Sequence, residues 1–118
     1  MTLAALQTLV DEAPVPVSLD RAGEPRRLPE VVDRGAYRVV RDALAAAVEA
    51  SAATVAIEYV PGALVVQVDD DGKPARDGLE AAADFAAAIG GGLKAAPAPG
   101  GFRVRAWLPT EGQPAIVK

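Results

Sequence analysis

The stretch ALVVQVDDDGKPARDGL, residues 63–79, decides how the rest of the chain is arranged. A β-branched apolar run from Ala63 to Asp69 ends in consecutive aspartates and a glycine, Asp69-Asp70-Asp71-Gly72. A very short polar connection then reaches a second glycine, Gly78, which opens a helix. Immediately upstream, Val55, Ile57 and Tyr59 alternate with Thr54, Ala56 and Glu58, and Pro61-Gly62 supplies a turn. Strand patterns on both sides of a Pro-Gly pair predict a β-hairpin. Downstream, Leu79, Ala82 or Ala83, Ala86 and Ile89 recur at helical spacing, so Gly78 to Ile89 reads as a helix. Gly90-Gly91-Gly92 ends it, because glycine accepts φ > 0 without steric cost.

Further out, Leu3, Leu6 and Val10 predict a short amphipathic helix that Pro14 and Pro16 stop. Val15, Val17 and Leu19 alternate with Pro16, Ser18 and Asp20, which reads as an edge strand, where proline is tolerated. Arg21 to Pro29 is a polar loop. The strongest periodic signal runs from Pro29 or Glu30 to Ala50, with Ala36, Val40, Ala43, Leu44, Ala47 and Val48 on one face of a long helix. Toward the end, Leu93 to Ala96 and Phe102 to Leu108 read as strands joined by Pro97–Gly101. In the last strand Phe102, Val104, Ala106 and Leu108 face inward while Arg103, Arg105 and Trp107 face the other way. Helix, strand, long helix, hairpin, helix, hairpin implies an α+β two-layer sandwich: a mixed, mostly antiparallel sheet with helices packed on one face. The expected organisation is one domain, with residues 1–27 as an N-terminal helix and edge strand, 28–109 as the core, and 110–118 as a tail.

Composition narrows the function classes. The 118 residues suffice for one core, built from Ala, Val and Leu since aromatics are only 4%. A net charge of −4 argues against a nucleic-acid partner, because phosphate binding needs clustered positive charge. The chain has no cysteine and no histidine, which removes disulfides, thiolate and imidazole metal sites, and Ser-His or Cys-His catalysis. No apolar run approaches the ~20 residues of a membrane span, and the start MTLAALQTLVDEAP lacks the basic n-region of a signal peptide. A cytoplasmic location, or the cytoplasmic portion of a membrane sensor, is the expectation.

Four stretches carry a family resemblance: LPEVVDRGAYRVVRDAL, VQVDDDG, DGL and GGGLKAAPAPGGFRVRAWLP. In order and spacing, Leu28 to Pro109 resembles the ATP-binding domain of bacterial sensor histidine kinases, within the Bergerat-fold or GHKL ATPase superfamily. The resemblance implies the Bergerat fold, ATP and Mg²⁺ as cofactors, and a place in two-component signal transduction. The family's N box, close to AYRIVQEALTNALKHA, stands here as AYRVVRDALAAAVEAS from Ala36 to Ser51. Asp42 takes the place of the catalytic glutamate, one methylene shorter. Ala46 replaces the Mg²⁺-binding asparagine and has no donor atom. Glu49-Ala50 replaces the basic Lys-His pair, so a group that attracts phosphate becomes one that repels it.

The G1 box is better kept. Asp70 and Gly72 match the aspartate that accepts from the adenine amine and the glycine beside it. Pro74 stands where the second glycine belongs, with no N–H to donate. The G2 box is reduced to Arg76-Asp77-Gly78-Leu79-Glu80-Ala81, in which only Gly78 survives, with Asp77 opposing an anion at the helix start, and the lid is nearly absent. Nucleotide-binding candidates are therefore Asp70, Gly72, Gly78 and Leu79, Asp42 is the catalytic candidate, and no metal ligand is assigned. Without the family pattern, the aspartates read as a solvated turn, Asp42 as a helix-face carboxylate, and Arg103/Arg105 as a solvated sheet face. Trp107 is a candidate partner contact.

Three functions stay open. The first is a degenerate, pseudokinase-like ATPase domain with weak or no Mg-ATP binding and a regulatory or protein-interaction role. The second is a working catalytic domain whose phosphoacceptor histidine lies on another domain or chain. The third is an α/β binding module sharing only the fold. Implied partners are a kinase dimerisation or phosphoacceptor domain, a response regulator, or a second copy in a homodimer.

Overall fold

A computed structural model describes residues 5–47, 49–73 and 78–110. Leu3, Val48, Pro74, Arg76, Asp77 and the tail from residue 111 onward lie outside the described residues. The elements in order are α1 (Leu6–Asp11), β1 (Val17–Ala22), α2 (Glu30–Ala46), β2 (Ala53–Val60), β3 (Ala63–Asp70), α3 (Glu80–Ala88), β4 (Gly92–Ala98) and β5 (Gly101–Pro109). The strands form a single sheet in the order β1-β2-β3-β5-β4. Only β1 and β2 run parallel, and the helical crossover that such a pair requires is α2. All other pairs are antiparallel, as the alternation of strand and turn signals implies.

Register explains why one face is dry. Val55, Val68 and Val104 align across β2, β3 and β5, as do Ile57, Val66 and Ala106 in the next row. These residues are all buried, and Ala36, Val39, Val40 and Ala43 of α2 cover them. Each such aliphatic side chain taken from water contributes about 1.5–3 kcal/mol, so the alanine-rich helix face is a matter of fit rather than bulk. The α3 helix packs on α2 so closely that a Cβ at Gly35 would stand 2.1 Å from Cε2 of Phe85.

The hairpin turn is the expected one, with Gly62 at φ 77. The second hairpin corrects the expected loop. Pro97 and Ala98 belong to edge strand β4, Gly101 opens β5, and only Pro99-Gly100 turns, with Gly100 at φ 80. Proline is accepted there because β4 is the sheet edge. The C-terminus of α3 closes in a Schellman motif, with the Gly91 N–H on the Ala86 carbonyl at 2.8 Å and the Gly90 N–H on that of Ala87 at 3.0 Å.

Two helix boundaries also need correction. The α2 helix stops at Ala46, four residues before the expected Ala50, although nothing from Ala47 to Ala52 is Gly or Pro. The chain must turn there to begin β2, where the Ala53 N–H donates to the Pro16 carbonyl at 3.0 Å, and tertiary pairing overrides alanine's helix propensity. The α3 helix starts at Glu80 rather than Gly78. Gly78 sits at φ 91, outside helical geometry, and its N–H donates to Glu80 Oε1 at 3.2 Å.

Candidate functional site

The three aspartates at the end of β3 occupy three environments, because successive strand residues alternate faces and the last has left the strand. Asp69 is on the open face, where Oδ1 accepts from Arg103 Nε at 2.7 Å and Oδ2 from Gln67 Nε2 at 2.9 Å. The ion pair raises the Arg103 pKa above its ordinary value. Asp70 is on the helix-covered face, only 9% exposed, aligned between Ala53 and Phe102. Its Oδ1 accepts the Gly72 N–H at 2.8 Å, so the candidate adenine-side pair forms a turn of its own.

Asp71 has a role the sequence reading missed. Its carboxylate accepts from the backbone N–H of Ser51 at 2.7 Å, that of Ala52 at 3.2 Å, and the Ser51 hydroxyl. The Ser51 hydroxyl, followed by the two N–H groups, holds the Asp71 carboxyl below its ordinary 3.8. A signal for this contact existed. The two-residue turn at Pro61-Gly62 fixes the hairpin register, and counting back from it places Asp71 beside Ala52.

The segment after α2 is therefore bound to the turn after β3, and a second contact joins them. Glu49, in the left-handed region at φ 56, puts Oε2 3.2 Å from Lys73 Nζ. Asp42 is one turn before the end of α2, its side chain 15% exposed between Arg41 at 3.2 Å and Arg38 at 3.9 Å. Helical spacing puts it on the stripe of Gly35, Val39 and Ala46, toward α3.

Leu79 is buried at the N-cap of α3 and borders an open groove of about 460 Å³, with Glu80, Ala83, Leu93, Ala95, Pro97 and Phe102. Phe102 is also the cross-strand partner of Asp70. Asp70 and Leu79 thus both adjoin Phe102, whereas a side chain at Gly78 would meet nothing within 4 Å. Close approach continues behind Asp70, where a Cβ on Gly101 would stand 1.9 Å from the Asp70 carbonyl oxygen.

A base and a metal fit this arrangement unequally. The groove is apolar apart from Glu80, and Asp70 is the cross-strand partner of Phe102 on its wall, which suits the edge of a planar base. A magnesium ion finds no such match: Ala46 has no donor, Asp42 is engaged by two arginines, and Asp71 is engaged by Ser51 and Ala52. Among the described residues, no three His, Cys, Asp or Glu are grouped to hold a metal.

In sequence, no protein-family profile and no curated protein matches the chain. In structure it is similar to the histidine kinase AdeS of Acinetobacter baumannii, with a TM-score of 0.65 at 15% identity over 93% of this chain. It is likewise similar to the EL346 blue-light activated histidine kinase of Erythrobacter litoralis, with a TM-score of 0.67 at 18% identity over 98% of this chain. The histidine kinase domain of that protein aligns at a TM-score of 0.61 and 16% identity. The chain spans 61% of the AdeS chain and 44% of the EL346 chain. The α+β fold is that of histidine-kinase ATPase domains. No helix among the described residues is long and apolar enough to cross a membrane.

Proposed function

We propose that this chain is a degenerate histidine-kinase-type ATPase domain of a two-component signalling protein, which binds Mg-ATP weakly or not at all and serves a regulatory or protein-interaction role. The observation that carries the reading is the closure between residues 49–52 and 71–73. Glu49 pairs with Lys73, and Asp71 occupies the N–H groups of Ser51 and Ala52. Glu49 is a carboxylate where the resemblance calls for a cation, Ala50 is neutral where it calls for a second basic group, and phosphoryl transfer depends on positioning and charge neutralisation. Asp70, Gly72 and Leu79 are the retained base-side residues, Gly78 is a relic of the phosphate-side loop, and Asp42 is a carboxylate without its catalytic setting.

The partners in this reading are a kinase dimerisation or phosphoacceptor domain or a response regulator, and the setting is cytoplasmic. Residues 28–109 form the ATPase-like core, which the preceding helix and strand complete. One observation favours a working catalytic domain instead. The Asp70-Gly72 turn is intact, and the histidine it would serve could lie on another chain.

Thermal unfolding with and without Mg-ATP and Mg-ADP separates these readings, since a ligand that binds the native state must raise its apparent stability. The expected result is a shift close to zero with either nucleotide. A saturable shift at micromolar Mg-ATP that Asp70→Asn abolishes would establish the working domain.

A further inference from the structure

We propose that the open face of the sheet over β4 and β5 docks an extended acidic segment of a partner protein, with Trp107 as its apolar contact. Register builds this surface. Lys94, Arg105 and Gln67 form one row across β4, β5 and β3, Ala96, Arg103 and Asp69 form the next, and Trp107 stands opposite Val65 on the far side. A concavity of about 240 Å³ is lined by Lys94, Ala96, Ala98, Arg103 and Arg105, so small side chains lie among three cations. Trp107 is 48% exposed, the larger of two exposed bulky apolar side chains among the described residues.

The cations are positioned without being used up. Arg103 spends Nε on Asp69 and Arg105 spends Nη1 on Gln67, which orients both guanidinium groups. The remaining guanidinium donors and the Lys94 ammonium have no partner among the described residues. This half-face thus sets three cations against one carboxylate in a chain whose net charge is −4. Arg103 and Arg105 are two residues apart on one strand, about 7 Å, which is also the spacing of alternate side chains on an extended peptide. A segment with carboxylates at alternate positions matches both arginines and can set an apolar residue on Trp107.

Charge complementarity selects this occupant. A polyphosphate backbone is disfavoured by the overall negative charge. A second copy would need a patch near the ~800 Å² per partner typical of stable dimers, and this one is a few residues wide. The surface deepens the interaction role proposed above and rests on that reading only for the existence of a partner. It lies on the face away from Asp70, so peptide and nucleotide titrations succeed or fail separately.

Trp107 is the only tryptophan, so its emission reports occupancy directly. The full chain is titrated with the peptide acetyl-Glu-Val-Glu-Leu-Glu-amide, with its lysine counterpart, and with a short DNA duplex. The expected result is a saturable blue shift with the acidic peptide alone, with affinity falling as salt screens the contact. Lys94→Glu with Arg105→Glu is expected to weaken that binding at least about tenfold, leave the melting temperature unchanged, and transfer binding to the lysine peptide. Wild-type salt dependence gives a reading that needs no variant. The proposal is overturned by the absence of a saturable change, by equal binding of both peptides, or by tighter binding of DNA. Self-association that the charge reversal abolishes would overturn it too.

Discussion

At one end of β3, the Arg26 guanidinium donates from Nη2 to the carbonyls of Val60 and Ala63 at 2.7 and 3.1 Å, and to the Thr110 hydroxyl at 3.0 Å. At the other end the Asp71 carboxylate gathers two N–H groups and a hydroxyl from Ser51 and Ala52. Each charged side chain pins a connection to the sheet. The connections differ in what specifies them. Pro61-Gly62 encodes its own turn, so Arg26, which also lies 5.8 Å from the Tyr59 ring centre, reinforces a local preference. The alanine-rich segment 47–52 encodes no turn, and Glu49 takes a φ that usually selects glycine. There the pin defines the geometry, and it does so at the candidate site.

The largest effect is expected at Asp71. Asp71→Ala should lower the urea midpoint more than any change to Arg26, and speed amide exchange at Ser51 and Ala52. Its pH dependence follows from the lowered carboxyl. The stabilisation is present above the unfolded value near 3.8 and fades as pH falls through the lower folded value. Unfolding curves for the wild type and Asp71→Ala should therefore be well separated near neutral pH and converge in acid. A gap that persists below the folded value would mean that packing, not the charged acceptor, holds the segment.

The same contrast explains what could be read in advance. The succession of elements along the chain, the Pro61-Gly62 turn, the inward set of β5 and the Gly90 helix stop were legible because period, proline and glycine mark them locally. The parallel β1, the early end of α2 and the start of α3 at Glu80 depend on pairing across the fold, which local pattern does not contain. At the site, Asp70 and Gly72 stood out as a strand-end motif. The separate duties of Asp69 and Asp71 emerge only once Arg103 and Ser51 are brought to them.

Arg26→Gln tests the reinforced end. Three neutral acceptors lose a charged donor at an exposed position, which should cost about 1 kcal/mol by urea unfolding. Since none of those acceptors is charged, the loss should change little with salt. A loss larger than that of Asp71→Ala would reverse the ranking and show that the Pro-Gly turn depends on its pin.

The smallest effect on stability, and the one closest to function, concerns Glu49 and Lys73. Both side chains are well exposed, at 65% and 61%, so a double-mutant cycle should give a coupling of about 0.5 kcal/mol or less that fades with added salt. Energy of that size does not hold the turn closed, which leaves the work to Asp71. What the pair controls is the sign of charge beside Gly72. Glu49→Lys puts a cation back where the resemblance places one and sets it against Lys73, so it should loosen the closure while attracting phosphate. The expected outcome is a small loss of stability without ligand, together with a larger thermal shift by ATP than in the wild type. If the ATP shift stays at zero although Glu49→Lys and Asp71→Ala are combined, the deficit lies outside the closure, in the missing donor at Ala46 and the reduced phosphate-side loop.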